Sequence, residues 1–181
     1  MKTISAVLLF ILIACNSYGQ QLEWEILNMG YSFGLAKDEN GNTWSHDGVS
    51  GSLSFGSELR IKLLDNRLSP GLQFSFTPWN RYTPDGSSVC HQSALSYMAL
   101  CDYNFLNVHS KIIPFAGVGI GISRVEYSDE TISGPPTGTL SHLAFSPRVG
   151  IEYKRIRLAL DYKYLGNRNN YFNFRVGFVI G

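Results

Sequence analysis

The sequence predicts an all-β protein, a transmembrane eight-stranded antiparallel up-and-down β-barrel. Three observations lead to this fold class. Eight stretches alternate apolar and polar residues, the connectors between them are alternately long and short, and the polar phase carries charges of both signs among small residues. Because alternate side chains of a strand point to opposite faces, each stretch is a strand with one apolar and one polar face.

The N-terminal residues have the pattern of an export signal. Lys2 precedes an apolar run from Ile4 to Ala14, and small residues at Ser17 and Gly19 resemble a signal-peptidase site. The apolar run is far shorter than the roughly 20 residues of a membrane-spanning helix. We therefore expect residues 1–19 to be a removed signal peptide and residues 20–181 to form one outer-membrane β-barrel domain. The alternative is lipidation of Cys15, because residues 12–15 (LIAC) resemble a lipobox.

Eight strands are predicted after this signal. The first changes phase near Leu27 and Asn28, which predicts a β-bulge there, and Pro147 removes a backbone donor within the sixth. The predicted ranges are Leu22–Ala36, Gly48–Leu64, Leu68–Trp79, His91–Leu106, Ile112–Ser128, Ser141–Lys154, Ile156–Leu165 and Tyr171–Gly181. Each covers roughly the 9 to 11 residues that a tilted strand needs to cross a bilayer.

The connectors indicate how the barrel lies in the membrane. Residues 37–47, 80–90 and 129–140 form long connectors, whereas 65–67, 107–111 and Arg155 form short ones; the last, 166–170, is of moderate length. Outer-membrane barrels combine short periplasmic turns with longer outer loops. With both termini periplasmic, every long connector is expected on the outer side.

The polar phase is predicted to face the lumen and the apolar phase the lipid. A soluble ligand-binding barrel, with the opposite arrangement, is the alternative. Glycines share the polar phase of the fifth strand and leave room for long side chains, while aromatic residues gather near the strand ends, as in interfacial girdles. These aromatic residues include Trp79, Tyr153, Tyr162, Tyr164, Phe172 and Phe174. The predicted lumen charge network consists of Glu23, Glu25, Glu58, Arg60, Lys62, Asp102, Arg148, Glu152, Asp161 and Arg175.

Composition excludes several other classes. Lys and Arg number 15 and Asp and Glu 14, and removal of Lys2 with the signal leaves the mature chain near neutrality, so no nucleic-acid surface is expected. Cys90 and Cys101 are too far apart on one strand to form a disulfide. The four histidines show no metal-ligand spacing. We expect no cofactor, no metal and no catalytic residues.

Residues 111–121 (KIIPFAGVGIG), preceded by residues 102–106 (DYNFL), resemble a glycine-alternating strand of small Gram-negative outer-membrane β-barrel proteins of the OmpA/OmpX-like superfamily. The resemblance implies an eight-stranded barrel in the outer membrane, in contact with outer-membrane lipid and inserted by the outer-membrane assembly machinery. Because side chains can fill an eight-stranded barrel, the loops remain the place for specific contacts. We therefore expect a structural or surface-interaction role through the extracellular loops, with the loop partner unknown.

Lipid A-modifying enzymes with the same fold offer an alternative function. In those resembling the lipid A deacylase, a late strand supplies a His and a Ser, whereas this chain has Tyr164 and Gly166 at the nearest matching positions. In those resembling the palmitoyltransferase, loop residues act, and His46, Asp85, Ser87 and Ser88 offer comparable groups. Neither set forms a motif, so the protein is predicted not to be an enzyme.

Overall fold

The protein is an eight-stranded antiparallel barrel in which each strand pairs with its sequence neighbours and the last pairs with the first. The computed structural model describes residues 21–34, 51–82, 89–106, 110–129, 138–165 and 170–181. The strands are β1 (Gln21–Gly34), β2 (Gly51–Lys62), β3 (Leu68–Tyr82), β4 (Val89–Asn104), β5 (Ile112–Asp129), β6 (Gly138–Tyr153), β7 (Ile156–Lys163) and β8 (Tyr171–Ile180). The predicted fold class is confirmed. No helix long and apolar enough to cross a membrane occurs among these residues.

The expectations for the signal peptide, for Cys15, for Gly166 and for the four loop residues His46, Asp85, Ser87 and Ser88 concern positions outside the described residues. The two ends of the barrel are named here by their connectors. The short-turn end holds residues 63–67, 105–106, 110–111 and 154–155, together with the first residues of β1 and the last of β8. The long-loop end is the opposite one.

The strands are strongly staggered. Following the paired residues from Glu152 on β6 once around the barrel leads back to β6 at His142, ten residues away. A stagger of this kind tilts the strands relative to the barrel axis, and it accompanies an interior that side chains can fill.

Lipid-facing and interior positions follow the predicted phases. Leu22, Trp24, Met29 and Tyr31 are exposed on β1, whereas Glu23, Glu25, Asn28 and Ser32 are buried. The predicted bulge is confirmed, because the pairing of β1 with both neighbours shifts after Glu25. Of the girdle aromatics, Tyr153, Tyr164, Phe172 and Phe174 are exposed and Tyr162 is half-buried.

Three strands extend two or three residues further at the long-loop end than the sequence predicts. β3 continues to Tyr82 and β4 begins at Val89, where these two residues pair, and β6 begins at Gly138, paired with Tyr127 of β5. Residues placed in the long connectors from sequence therefore belong to strands. Strand residues that extend beyond the lipid need no apolar face. The alternation of apolar and polar residues therefore ends before the backbone pairing between the strands does.

Prolines mark the places where the ladders are interrupted. Pro70 on β3 lies where pairing with β2 lapses between Arg60↔Gly71 and Leu63↔Leu68. Pro147 lies where pairing of β6 with β7 lapses between Arg148↔Asp161 and Phe145↔Tyr164. Since proline has no backbone N–H, each removes a donor on the side facing the interrupted neighbour. The puzzle that Pro147 raises in the sequence is thus resolved by a gap in the β6–β7 ladder.

Candidate functional site in the barrel interior and at the β6 edge

The structure brings the ten predicted lumen residues together inside the barrel. Nine of them are buried, and the tenth, Lys62, has a side chain that is 10% exposed. They come from β1, β2, β4, β6, β7 and β8, because the inward phase of each of these strands carries at least one charged residue.

Glu58 lies at the centre of the charged cluster. Arg148 donates to both of its carboxylate oxygens, from Nη1 to Oε1 and from Nη2 to Oε2, each at 2.9 Å. Arg175 donates to Oε1 at 2.5 Å and Gln73 to the same oxygen at 2.8 Å. Hydrogen bonds between ionised partners are the stronger kind, and a two-pronged arginine–carboxylate pair also fixes orientation. Glu58 of β2 therefore joins side chains from three other strands, β3, β6 and β8.

Asp102 forms a second anionic centre beside Glu58. Its Oδ1 accepts from Arg148 Nε at 2.7 Å, and its Oδ2 accepts from Arg148 Nη2 at 2.6 Å and from Arg157 Nη2 at 2.5 Å. The Arg157 guanidinium carbon also lies 3.6 Å from the centroid of the Phe115 ring, a cation–π arrangement. Arg148 is thus held between two carboxylates, while Arg157 is held by Asp102 and an aromatic face.

A third group of charges lies nearer the short-turn end. Lys62 forms ion pairs with Glu23 and with Glu152, the latter at 3.3 Å, and Arg157 Nη1 donates to Glu152 at 2.9 Å. Arg60 is fully buried and lies 3.5 Å from both Glu23 and Glu25. The sequence placed these residues at matching ends of the first two strands, and Glu23 indeed pairs with Arg60 in the β1–β2 register.

Two interior cations are missing from the predicted network. Arg157 and Lys163 are both buried on the inward phase of β7. Lys163 Nζ donates to Gln73 at 2.7 Å and to Ser75 at 3.3 Å. The signal was present in the sequence, because both residues share the phase of Asp161, which was included.

With these two residues, the interior charges of the described chain balance. Six are anionic and six cationic. The anions are Glu23, Glu25, Glu58, Asp102, Glu152 and Asp161, and the cations are Arg60, Lys62, Arg148, Arg157, Lys163 and Arg175. A buried charge is tolerated only when it is paired and hydrogen-bonded, so equal numbers fit a closed interior.

Glycines on the inward phase make room for these carboxylates. A methyl group added at Gly117 would meet the Asp102 carboxylate, and one at Gly177 would meet that of Glu25. At Gly119 the side chain that fills the space is Leu100 instead. The glycines of the fifth strand therefore accommodate both a charged and an apolar neighbour.

The interior changes character toward the long-loop end. A cluster of buried, mostly apolar side chains lies there, and its members are Ala94, Met98, Leu100, Val125, Ala144, Leu165 and Tyr171. The sequence did not predict this cluster, because both phases of β4 carry apolar residues around Met98 and Leu100. The interior is therefore filled by charges toward one end, and toward the other by an apolar cluster among small polar side chains such as Ser96 and Ser123.

β6 leaves one edge unpaired at the long-loop end. Within the described residues, Gly138–Ala144 pair with β5 and with no other strand. Phe145 exchanges backbone hydrogen bonds with Tyr164, so the N–H and C=O groups of Ser141 and Leu143, on the same alternation, point to the open side. Thr139, Leu140, Ser141 and Leu143 are all exposed, although Leu140 points to the opposite face of the strand from the other three.

Neither a metal centre nor an accessible acyl-transfer site is evident in the described part of the chain. No group of three or more His, Cys, Asp or Glu residues there could hold a metal ion. Ser123 lies opposite both Ser96 and His142 in the strand register, as a nucleophile beside a base would. Its hydroxyl, however, is hydrogen-bonded to that of Ser96 at 2.9 Å, and both serines are fully buried. Tyr164, at the position where the deacylase pattern has histidine, is exposed on the outer face.

Comparison with solved structures identifies the fold. Neisserial surface protein A matches with a TM-score of 0.57 and 14% identity, covering 90% of this chain and 98% of its own. Ail, the attachment invasion locus protein of Yersinia pestis, solved with the heparin analogue sucrose octasulfate, matches with a TM-score of 0.56 and 13% identity, covering 88% and 99%. The fold is that of a small outer-membrane β-barrel.

A third structure with the outer-membrane barrel fold extends the comparison. The N-terminal β-barrel domain of Pseudomonas aeruginosa OprF matches with a TM-score of 0.50 and 14% identity, covering 88% of this chain and 97% of that domain. No protein-family model and no curated protein matches the sequence. At these identities the likeness concerns the fold, and the sequence-based resemblance to small outer-membrane barrels is confirmed at that level.

Proposed function

We propose that this outer-membrane barrel is a non-conducting, non-enzymatic protein of the Gram-negative outer membrane that contacts partners at the cell surface. It would be inserted by the outer-membrane assembly machinery and surrounded by outer-membrane lipid. The observation that carries the proposal is the contrast between a filled interior and an edge of β6, at the long-loop end, with which no second strand of the described residues pairs.

The filled interior argues against a pore. Eight strands leave a lumen just wide enough for side chains to fill it. Here charged pairs with N···O distances of 2.5 to 2.9 Å cross the interior between Glu58, Asp102 and three arginines, and an apolar cluster follows toward the long-loop end. A hydrated ion would have to displace both layers.

The open edge supports an interaction role. An unpaired strand edge presents a row of backbone donors and acceptors that can pair with an extended segment of another protein. Leu143 on this edge is 71% exposed and Leu140 47%. Arg124 and Glu126 on the adjacent β5 are also exposed and form an ion pair at 2.9 Å, so charged and apolar contacts lie side by side.

Localisation and conductance test the first part of the proposal. The protein should be found in outer-membrane fractions, with heat-modifiable migration on gels, and should produce no channels in planar bilayers. Recovery from the soluble periplasm would contradict the membrane assignment, and steady single-channel conductance by the wild type would contradict the filled lumen.

Adhesion measurements test the second part. Cells carrying the protein are compared with empty-vector cells for adhesion to immobilised extracellular-matrix proteins and to each other. Ser141→Pro should abolish the added adhesion, because it removes an N–H on the open side of β6, whereas Ser141→Ala keeps that N–H and should retain it. Equal adhesion of both variants would show that the β6 edge is not the contact surface, and no adhesion above empty-vector cells would contradict the interaction role.

Lipid A analysis tests the enzymatic alternative. Mass spectra of lipid A from cells with and without the protein should be identical. A change in acyl-chain number that disappears with His46→Ala would establish acyl transfer or hydrolysis and would contradict the non-catalytic role.

A further inference from the structure

Four exposed cationic side chains lie at the short-turn end, and none of them is paired with a carboxylate of the described residues. They are Arg67, Lys111, Lys154 and Arg155. Arg67 lies beside a tyrosine hydroxyl and Lys154 over a tyrosine ring. Among the described side chains, Asp65 is the one exposed anion at this end. Four cations against one anion leave an excess of three positive charges on this surface.

The other cations of the described chain are neutralised nearby. Six lie inside the barrel, together with six anions. Arg124, near the long-loop end, forms an ion pair with Glu126 at 2.9 Å. Within the described residues, uncompensated positive charge is therefore confined to the short-turn end.

The short turns also carry exposed apolar side chains. Leu64, within the β2–β3 turn, is 73% exposed, and Phe105 and Leu106, which follow β4, are exposed as well. Apolar and aromatic side chains mixed with Lys and Arg are typical of segments that lie in the interface between lipid and water. The composition of these turns therefore fits the level of the lipid headgroups.

Arg67 and Tyr103 offer a site for a phosphate group. Arg67 Nη1 lies 3.5 Å from the hydroxyl oxygen of Tyr103, and both side chains are exposed. The hydroxyl accepts from the guanidinium, which leaves its own O–H and the remaining guanidinium N–H groups available as donors. A guanidinium fork matches the geometry of phosphate oxygens, and the neighbouring hydroxyl adds a further donor.

The backbone that carries Arg67 is fixed against β4. Its carbonyl oxygen accepts from the backbone N–H of Asn104 at 2.8 Å. The side-chain nitrogen of Asn104 donates to the carbonyl oxygen of Asn66 at 2.5 Å and to Ser69 Oγ at 3.2 Å. Because the turn is already held beside Tyr103, the site needs little ordering when it binds a ligand.

The surroundings favour the phosphate of a lipid over a free one. The ring of Tyr103 packs edge-on against that of Phe105, with the ring centroids 5.5 Å apart, and both rings are exposed on the lipid-facing side. A phospholipid whose phosphate reaches Arg67 can lay its acyl chains along these rings. Inorganic phosphate would gain no such apolar contact.

We propose that the short-turn end binds an anionic phospholipid of the adjoining leaflet, with the lipid phosphate held by Arg67 and Tyr103. Lys111, Lys154 and Arg155 supply the surrounding positive charge that favours an anionic headgroup over a zwitterionic one. In the predicted orientation this is the periplasmic leaflet. The inference rests on the membrane part of the proposed function and is independent of contacts at the cell surface.

Fluorescence quenching by brominated lipids tests this site in the folded, full-length protein. The three tryptophans are first replaced by phenylalanine. One tryptophan is then introduced, either as Phe105→Trp beside Tyr103 or as Tyr97→Trp, which is exposed on the same strand face nearer the long-loop end. Each protein is reconstituted in vesicles of equal parts phosphatidylcholine and phosphatidylglycerol, with one or the other lipid brominated. Heat-modifiable migration verifies folding.

The measured quantity is the ratio of quenching by brominated phosphatidylglycerol to quenching by brominated phosphatidylcholine. This ratio should be at least about twofold higher for Phe105→Trp than for Tyr97→Trp, because the cations gather anionic lipid at one end only. Equal ratios at the two positions would contradict the proposal.

Substitutions at the site separate a bound phosphate from diffuse attraction. Arg67→Gln combined with Tyr103→Phe should remove most of the preference at Phe105→Trp. Arg124→Gln is the matched control, because it removes a cation near the long-loop end, and it should leave the ratio unchanged. A ratio that Arg67→Gln with Tyr103→Phe does not lower would show that these two residues hold no lipid phosphate and would overturn the proposal.

Inorganic phosphate distinguishes the lipid from the free anion. Added in place of chloride at equal ionic strength, it should leave the ratio unchanged. Loss of the preference at millimolar phosphate would show a site for the free anion and would overturn the lipid assignment. Absence of quenching by either lipid would show that the protein does not insert into the bilayer, which contradicts the membrane part of the proposed function as well.

Discussion

Arg148 and Glu58 form a two-pronged ion pair across the barrel interior, from β6 to β2, with both N···O distances at 2.9 Å. The two side chains are 1% and 0% exposed. Residues 90 positions apart in sequence are therefore held in one geometry at the centre of the fold.

Removing one partner of this pair should destabilise the barrel strongly. Arg148→Ala removes two hydrogen bonds from Glu58 and two from Asp102 and leaves the interior with one more anion than cations. The loss of one partner of a buried pair costs about 3–5 kcal/mol. Urea unfolding in lipid vesicles measures the change. Arg124→Ala is the matched control, because its ion pair with Glu126 is more than half exposed and should contribute only about 0–1 kcal/mol. Equal effects of the two variants would mean that the interior network does not stabilise the fold.

Gly117→Ala should destabilise the barrel more than Gly119→Ala. A methyl group at Gly117 meets the Asp102 carboxylate and the backbone of Cys101, whereas one at Gly119 meets chiefly the end of the Leu100 side chain, which can move. We expect a loss of about 1–3 kcal/mol for Gly117→Ala, as for other overpacked interiors. The same urea-unfolding measurement gives both values. A larger loss of stability for Gly119→Ala would contradict the conclusion that Gly117 leaves space for the Asp102 carboxylate.

Ser57 should stabilise the β1 bulge. Its hydroxyl donates to the Glu25 carbonyl at 2.9 Å, at the point where the register shifts, and accepts from Trp24 Nε1 at 2.9 Å. A backbone carbonyl without a partner is costly on a lipid-facing surface. Ser57→Ala should therefore cost about 1–3 kcal/mol in vesicle unfolding experiments.

Trp24→Phe provides the control for Ser57, since it removes only the indole donor and leaves the bond from Ser57 to Glu25. Its cost should be smaller than that of Ser57→Ala. If Trp24→Phe has the larger effect, the packing of the indole, and not the satisfied carbonyl, is what stabilises this region.

Pro147 should make the β6–β7 seam the most easily opened part of the wall. The ladder lapses beside Pro147, whereas β4 and β5 pair without interruption from Cys90↔Asp129 to Asn104↔Phe115. Amide hydrogen exchange should be faster at Ala159–Tyr162 of β7 than at Tyr97–Leu100 of β4. Pro147→Val supplies an N–H and should slow exchange in β7, with no change in β4. Unchanged exchange in β7 would show that the missing donor does not weaken the seam.

The sequence alone predicted the number of strands, the apolar phase that faces the lipid and the β-bulge. Each depends on the alternation of apolar and polar residues within one strand, which contact with lipid imposes. It could not predict the apolar cluster, since Met98 and Leu100 interrupt the alternation and only the register shows that they point inward. Nor could it predict that Glu58, and not Glu25, receives two arginines. That choice depends on the stagger between distant strands, which a single strand's pattern does not contain.

The position of Arg175 on β8 has a consequence for how the protein is made. Arg175 bonds to Glu58 on β2 and Asp161 on β7, so it connects β8 to a strand that is not its neighbour in the barrel. A nascent sheet that lacks β8 has one positive charge too few to neutralise its inner face. Closure of the barrel and neutralisation of its inner face therefore occur together, when β8 pairs with β1.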